Sequence, residues 1–497
     1  MSIVKLLQVL RQLGLLTPSA LLKLLGSIYR HGINLMALLR FSAHAYGEKI
    51  AIADDRESLT YLQLYNMSTE LADTLQQSYR IGSGRKVALV SRNQASMVTA
   101  IYAVSATGAD LLLLNAEMSE DQLNAILERH NPHLLLNDEG GGELSIQVRI
   151  DHTTERTPFQ PKLRRVSSGK LVLLTAGTTG QAKEAPHRPS LFRYLKPFSD
   201  FLSRLRILDY STAYIATPLY HGYGLAVLLL FGAAGKKAVL HPGFSAERAC
   251  RLVREHQVEV ATVVPLMLHK MLRTNADDLR SLRCIASGGA ELSPKLAQET
   301  RERLGEVLYN LYGTSEAGLL LIATPEDLSS TPNTIGRPVD GVQVRVLGEQ
   351  NESKNVGDVG RLCVRSEGSM RAEMSEWIET GDLGYMDKSG RYFLRGRVDS
   401  MIVSGGENVY PYEVEQVLLL HPQVEDAAVI GVPDERFGQR LQAFVQRTPQ
   451  TKPTEQELLD WLRPQLARYQ LPRSIVFVER LPYTAVGKRD KRKLSTT

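Results

Sequence analysis

Twice along this chain, over residues 50–160 and again over 211–312, short apolar runs alternate with helix-length stretches. The first pass reads KVALV (86–90), MVTAIYAVSATGA, DLLLLN (110–115) and a helix from Ser119. The second reads AYIATPL, the helical AVLLLFGAAG, KKAVLH, a helix over 246–256, VEVATVVP and RCIASGG. A βαβ rhythm of this kind predicts mostly parallel sheets covered by helices on both faces. Two such halves facing each other leave a cleft, a common ligand site. From about 335 to 395 the pattern changes to short strands with turn residues (VQVRVL, GRLCVR, GRYFLRG), which predicts a small β-barrel or sheet module. Beyond GRVDS, residues 400–497 carry their own apolar runs, AAVIGV and QAFVQR. At 497 residues the chain exceeds one compact core. The expected fold is therefore α/β. A large N-terminal domain (41–398) of two α/β subdomains plus a small β-barrel precedes a smaller, mobile α+β C-terminal domain (399–497). No low-complexity linker separates them, so the junction at 399 reads as a hinge.

With 43% hydrophobic and 23% charged residues the chain is expected to fold throughout. Three scattered cysteines, Cys250, Cys284 and Cys363, argue against a disulfide framework or zinc cluster and for a reducing, cytoplasmic setting. No apolar run reaches the roughly 18 residues of a spanning helix. No basic patch is interleaved with aromatics, so no nucleic-acid partner is expected. The net charge of +5 is unevenly placed: before Glu48 there are no acids, but there are Lys5, Arg11, Lys23, Arg30 and Arg40. Ile3, Leu6, Leu7, Leu10 and Leu13 recur there at helical spacing, and Thr17-Pro18 is a cap and first-turn proline for a second helix. Three readings of residues 1–40 stand open: helices packed on the first domain, a transit peptide, or a basic amphipathic segment peripheral to the inner face of a membrane.

Leu171-Val-Leu-Leu-Thr175-Ala-Gly177-Thr178-Thr179-Gly180-Gln-Ala-Lys183 runs from a strand into a loop of small and hydroxylated residues ending in a cation. Glycine backbone freedom, hydroxyl donors and one lysine suit a polyphosphate grip, although a surface turn has the same composition. Four more stretches bear chemistry. Asn310-Leu-Tyr312-Gly313-Thr314-Ser315-Glu316 sets an aromatic, hydroxyls and a carboxylate together, suited to a purine, a phosphate and Mg²⁺. Thr380-Gly381-Asp382 offers a carboxylate to ribose hydroxyls. Gly396-Arg397-Val-Asp399 puts a cation and an anion at the domain junction, and Pro482-Tyr-Thr484-Ala-Val-Gly487-Lys488 puts a lysine on a glycine-softened loop. Each alone is compatible with an ordinary turn or solvated charge.

Together, and in this order, they resemble the adenylate-forming superfamily: acyl- and aryl-CoA synthetases, peptide-synthetase adenylation domains and luciferases. The resemblance runs from about residue 40 to the end, and SGGENVYPYEVE and NLYGTSEAG look most like bacterial fatty-acyl-CoA synthetases. It implies that Thr175, Thr178, Thr179, Gly180 and Lys183 wrap the ATP phosphates. Asn310 and Tyr312, with Gly313, Thr314 and Ser315, would hold the adenine end, and Glu316 the magnesium. Asp382 and Arg397 would bind the ribose, and Asp399 would be the hinge. Lys488 would contact the carboxylate oxygen and α-phosphate. His221, with Tyr220, Gly222, Gly288 and Gly289, would line the acyl pocket, and Ser404, Gly405 and Gly406 would border the thiol channel.

The sequence also departs from the family pattern. Ala176 stands for a usual serine, Ala182 and Glu184 flank Lys183 in place of proline and glycine, Ser315 replaces threonine, and Ser400 replaces a second aspartate. The stretch 364–378 looks several residues short. None removes an essential group. The resemblance thus implies an AMP-forming fatty acid–CoA ligase using ATP, Mg²⁺ and coenzyme A. Two other outcomes stay open: loading of an acyl carrier protein's phosphopantetheine, and a non-catalytic acyl- or nucleotide-binding protein.

Overall fold

A computed structural model describes residues 17–138, 144–148, 166–167, 169–176, 182–187, 191–314, 317–366, 377–404, 406–484 and 488–494. The chain divides into two compact units, Met1–Val263 with Arg273–Ile285, and Val264–Leu272 with Ala286–Thr497. The first unit opens on α1 (Pro18–His31) and α2 (Leu35–Tyr46). Thr17 caps α1 by accepting the Ala20 N–H, and Pro18 occupies the first turn as the sequence predicts. Asn34 caps α2 in the same way. Helix α2 runs through residue 40 and buries Met36, Leu39 and Phe41.

The next elements are β1 (Ile50–Ala53), β2 (Ser58–Thr60), α3 (Tyr61–Gln77), β3 (Lys86–Val90), α4 (Ala95–Thr107), β4 (Asp110–Leu114), α5 (Glu120–His130), β5 (Leu134–Asp138), β6 (Leu144–Val148), β7 (Leu171–Ala176) and β8 (Ala182–His187). Strands β3, β4, β5 and β7 lie parallel, with β6 and β8 as antiparallel edges, in the order β6-β5-β3-β4-β7-β8. Their near-continuous apolar runs suit strands covered on both faces. Helix α4 is buried almost all round, which its AxMVxAIYAV composition requires.

A second parallel sheet follows with α6 (Leu191–Arg204), β9 (Thr212–Ile215), α7 (Gly222–Ala233), β10 (Lys237–Val239), α8 (Ala246–Glu255) and β11 (Val260–Val263). Strand β9 takes β10 and β11 on its two sides, both parallel. Strand β1 extends the sheet parallel to β10, and β2 closes it antiparallel. The two expected α/β halves are thus both present.

Helix α9 (Pro265–Asn275) and β12 (Cys284–Gly288) straddle the division between the units. The second unit continues with α10 (Pro294–Leu304), β13 (Leu308–Thr314), β14 (Gly318–Ala323), α11 (Pro325–Ser330), β15 (Thr334–Pro338), β16 (Val342–Leu347), β17 (Gly360–Ser366), β18 (Ile378–Met386) and β19 (Tyr392–Arg397). These strands run antiparallel in the order β13-β14-β15-β19-β18-β17-β16. Among the described residues this module is an open sheet, not a closed barrel. Strand β15 already uses its two edges on β14 and β19, which leaves β16 as an edge paired to β17.

The C-terminal portion holds β20 (Ile402–Ser404), β21 (Glu407–Val409), α12 (Pro411–Leu419), β22 (Val424–Asp434), β23 (Gly438–Arg447), α13 (Glu455–Leu462) and β24 (Ser474–Val478). Strands β22 and β23 form a long hairpin whose turn is fixed by Asp434 accepting the N–H groups of Arg436 and Phe437. Val414, Leu418, Val429, Ala443, Val445 and Leu458 fill its core.

Candidate active site

Within the second unit a set of side chains widely spaced in sequence meets in one hydrogen-bonded group. Tyr312 on β13 donates its hydroxyl to Asp382 Oδ2 on β18 at 2.5 Å. Arg397, at the end of β19, donates from Nη1 to Asp382 Oδ1 at 3.1 Å and to the Thr380 carbonyl at 3.3 Å. Its Nε and Nη2 reach the two carboxylate oxygens of Asp399 at 3.2 and 3.3 Å. One guanidinium therefore spans the expected ribose carboxylate and the expected hinge carboxylate. The β18–β19 ladder makes this automatic, because Asp382 and Arg397 are direct cross-strand partners. Gly381 sits at φ +77°, and a Cβ there would come within 2.9 Å of Arg397 Nη2, so glycine is needed for both backbone and space.

Burial and the Asp382 charge both raise the Tyr312 hydroxyl pKa, so it stays a proton donor at neutral pH. Asn310, two residues earlier on β13, is buried and donates its Nδ2 to the Thr334 carbonyl at 3.1 Å. That bond fixes the strand. Gly313 lies at a β-bulge, where the Gly318 carbonyl would come within 2.3 Å of any Cβ. Thr314 Oγ1 accepts the Ala317 N–H at 3.1 Å; Ser315 and Glu316 lie outside the described residues.

Lys488, in the C-terminal portion, is within electrostatic reach of this group. Its N–H donates to Thr484 Oγ1 at 3.2 Å and its carbonyl accepts the Thr484 N–H at 2.8 Å. The lysine loop is thereby cinched at its base. The side chain keeps solvent contact, yet surrounding protein lowers the amine pKa. Asp382 opposes that effect and Arg397 adds to it. The amine is thus placed among the charges of the expected nucleotide site.

The neighbouring Arg489 was not singled out from sequence, although it anchors the loop. It donates to Asp426 Oδ1 from Nη2 at 2.6 Å and from Nε at 2.9 Å, and lies 3.6 Å from Glu415. Burial opposes its charge, but Asp426, Glu415 and Glu291 together raise its pKa. Lys491 pairs with Glu415 at 2.6 Å. Glu291, just after β12, accepts from Gln416 Nε2 and bonds the Tyr412 hydroxyl, both on α12. Burial raises the Glu291 pKa to about 7, Arg489 works against this and Glu415 adds to it. A motif scan passes over these residues because each reads as an ordinary surface charge.

The remaining expected residues are distributed as follows. Ser404 is buried on β20 and Gly406 sits at φ +91° in the β20–β21 hairpin, outside this ring, and Gly405 lies outside the described residues. Gly288 ends β12, where a Cβ would press on the Leu311 carbonyl at 3.1 Å, and Gly289 takes φ +79°. In the first unit, Thr175 and Lys183 are backbone partners between the antiparallel strands β7 and β8. Gly177, Thr178, Thr179 and Gly180 lie outside the described residues.

His221 occupies the N-cap position of α7, its ring 4.6 Å from that of Tyr220. Gly222 begins that helix, and a Cβ there would touch Leu173 at 3.4 Å. Burial, followed by the Glu117 charge, raises the Tyr220 pKa. The loop before His221 is held by Asn93, a residue that no motif pointed to. Its Nδ2 donates to the Thr217 carbonyl at 3.0 Å, and its Oδ1 accepts the Leu219 N–H at 2.8 Å.

The family model for AMP-binding enzymes matches residues 39–372, and that of the AMP-binding enzyme C-terminal domain matches 413–488. The 2-succinylbenzoate–CoA ligase of Bacillus licheniformis is 28% identical over 92% of this chain and 98% of its own length. The o-succinylbenzoate coenzyme A synthetase of Bacillus subtilis, solved with ATP and a magnesium ion, superimposes with a TM-score of 0.77 at 26% identity, covering 92% of this chain and 99% of that one. The same synthetase solved with its acyl-adenylate intermediate gives a TM-score of 0.77 at 26% identity, covering 92% and 97%.

Proposed function

The chain belongs to the AMP-binding enzyme family, and from that premise we propose that it is an ATP-dependent acid–thiol ligase acting through an acyl-adenylate. In the first half-reaction a carboxylate oxygen bonds to the α-phosphorus of ATP as the bond to pyrophosphate breaks. In the second, a thiol sulfur bonds to the acyl carbon, its proton is lost to solvent, and AMP leaves with the electron pair of the broken anhydride. The observation that carries this reading is the bonded set of Tyr312, Asp382 and Arg397, whose charges reach the Lys488 amine.

Two anions must meet in the first step, and a preorganised cation lowers the cost of the charge that builds up on the α-phosphoryl group. Lys488 supplies that cation, and its cinched loop limits reorganisation. Asp382, held by Tyr312 and Arg397, keeps a carboxylate oriented toward ribose hydroxyls. Magnesium, when bound, offsets phosphate charge. Glu316 is the residue assigned to hold it, in keeping with the habit of Mg²⁺ of taking one or two carboxylates and completing its shell with phosphate oxygens. We further assign Asp399 as the pivot about which the lysine-bearing portion exchanges with the thiol channel at Ser404–Gly406. Its carboxylate is referenced to the site through Arg397.

The acid is read as a medium- or long-chain fatty acid. Helix α7 (GYGLAVLLLFGA), capped by His221, carries no charged side chain to pair with a second carboxylate. An aromatic acid is the second reading, favoured by relatives that bear the name 2-succinylbenzoate–CoA ligase. Coenzyme A is the preferred thiol, as in the names of those relatives. The test is pyrophosphate release with ATP, Mg²⁺ and fatty acids of graded length, with benzoates and 2-succinylbenzoate in parallel, with and without coenzyme A. Turnover of fatty acids stimulated by coenzyme A is the expected result. Selective turnover of the aromatic acids moves the substrate to the second reading. Adenylate that coenzyme A cannot discharge points to a carrier-protein phosphopantetheine, and absence of turnover with every acid overturns the ligase reading.

A further inference from the structure

Helix α1 is mounted with its apolar side outward. On a helix advancing 100° per residue, Leu21, Leu22, Leu25 and Tyr29 fall within an arc of roughly 100°. Those four side chains are 46–77% exposed, and Ile33, just past the helix end, is 65% exposed. The face turned to the protein buries Ser27 and His31, with Ala20, Leu24 and Ile28 half-buried beside them. The orientation is locked. His31 Nε2 pairs with the Tyr65 hydroxyl at 3.0 Å, and its carbonyl accepts the Asn34 amide at 2.7 Å. Ser27 donates back to the Lys23 carbonyl at 2.8 Å and receives Arg40 Nη1 at 3.4 Å. Rolling the leucines inward would break this set. A rigid helix that displays leucines to water marks an interaction surface.

Charge indicates what covers it. No acid precedes Glu48 in the sequence, and the five cations there equal the whole formal net charge of +5, so the rest of the chain is balanced. Arg30 is exposed and Lys23 half-exposed, about 80° and about 100° further round the helix than Leu22. Residues 3–13 continue the same acid-free, leucine-rich composition upstream of α1, and the family match begins only at residue 39. A second copy placed symmetrically on this face would bring the same cations together. An anionic bilayer accepts the leucines among its acyl chains and the cations among its headgroups. We propose that α1 docks this protein on an anionic lipid surface. The leucine face supplies the insertion and Lys23 and Arg30 the attraction, independently of which acid the site activates.

The test is co-sedimentation of the full chain with vesicles of pure phosphatidylcholine and with vesicles in which about a quarter is phosphatidylglycerol. Binding to the anionic vesicles, little to the neutral ones, and release at high salt are expected. The double variant Leu22→Asp, Leu25→Asp should lower partitioning roughly tenfold or more, while ATP–pyrophosphate exchange in vesicle-free buffer stays unchanged. Lys23→Gln with Arg30→Gln should weaken binding to anionic vesicles and leave the weak binding to neutral ones as it was. Equal binding of wild type and the aspartate variant, or no binding to either vesicle, overturns the proposal. So does a stable dimer in light scattering that the aspartate variant dissociates, because the face is then occupied by a second copy.

Discussion

Replacing Glu291 with glutamine is expected to remove a pH-dependent loss of stability from the second unit. The Glu291 carboxyl accepts from Gln416 Nε2 and bonds Tyr412, with Arg489, Glu415 and Lys491 as the charges around it. Its pKa is raised from an ordinary 4.5 to about 7, chiefly by burial. The folded state therefore binds the proton more tightly than the unfolded chain. The stability linked to that proton is complete below about 4.5 and is lost as the pH rises through about 7. The interval between those values sets a ceiling of about 3 kcal/mol, and the carboxyl's residual solvent contact reduces the expected effect to about 1–2 kcal/mol. Glutamine keeps an acceptor for the same donors and carries no charge. Urea unfolding followed by fluorescence of Trp377 and Trp461, from pH 5 to 8, provides the assay. Subtracting wild type from variant cancels the histidines common to both. The difference should be near zero at pH 5 and favour the variant by about 1–2 kcal/mol at pH 8. A difference that stays flat with pH refutes the reasoning, because the carboxyl would then titrate as it does in the unfolded chain.

Lys488→Ala should lower adenylation, measured by ATP–pyrophosphate exchange, by roughly 100- to 1000-fold while sparing thioester formation from supplied acyl-adenylate. Equal loss in both steps would mean that the lysine's role is misassigned. Tyr312→Phe removes the 2.5 Å donor to Asp382, a charged acceptor. The loss of about 1.5–3 kcal/mol should appear as a raised KM for ATP, and an unchanged KM would sever Asp382 from nucleotide binding. Arg489→Met removes the cation from buried Asp426 and leaves buried Glu415 to Lys491, and should destabilise the second unit by about 3–5 kcal/mol in the urea assay. A cost below about 1 kcal/mol would show the pair to be solvent-screened.

The elements themselves were legible in the sequence. KVALV, DLLLLN and VEVATVVP became β3, β4 and β11, most of AVLLLFGAAG fell within α7, and Thr17-Pro18 opened α1. Backbone geometry is local, so apolar period and cap chemistry within a dozen residues suffice to specify a strand or a helix. The order of the motifs likewise named the residues now gathered in the second unit.

Periodicity is silent about partners, because which residues meet depends on how distant strands cross. Tyr312 and Asp382 stand 70 residues apart, Asn93 and Thr217 124, and Glu291 and Gln416 125. Arg489 reads as a surface charge until Asp426 and Glu415 are brought to it. The same limit explains α1. Its sequence states that one side is apolar, but only the pairing of His31 with Tyr65 decides that this side faces out. Local sequence determined the pieces and the chemistry each could offer. Tertiary structure decided which carboxylate holds which cation, and which apolar face remains in water, because those choices are made by groups far apart along the chain.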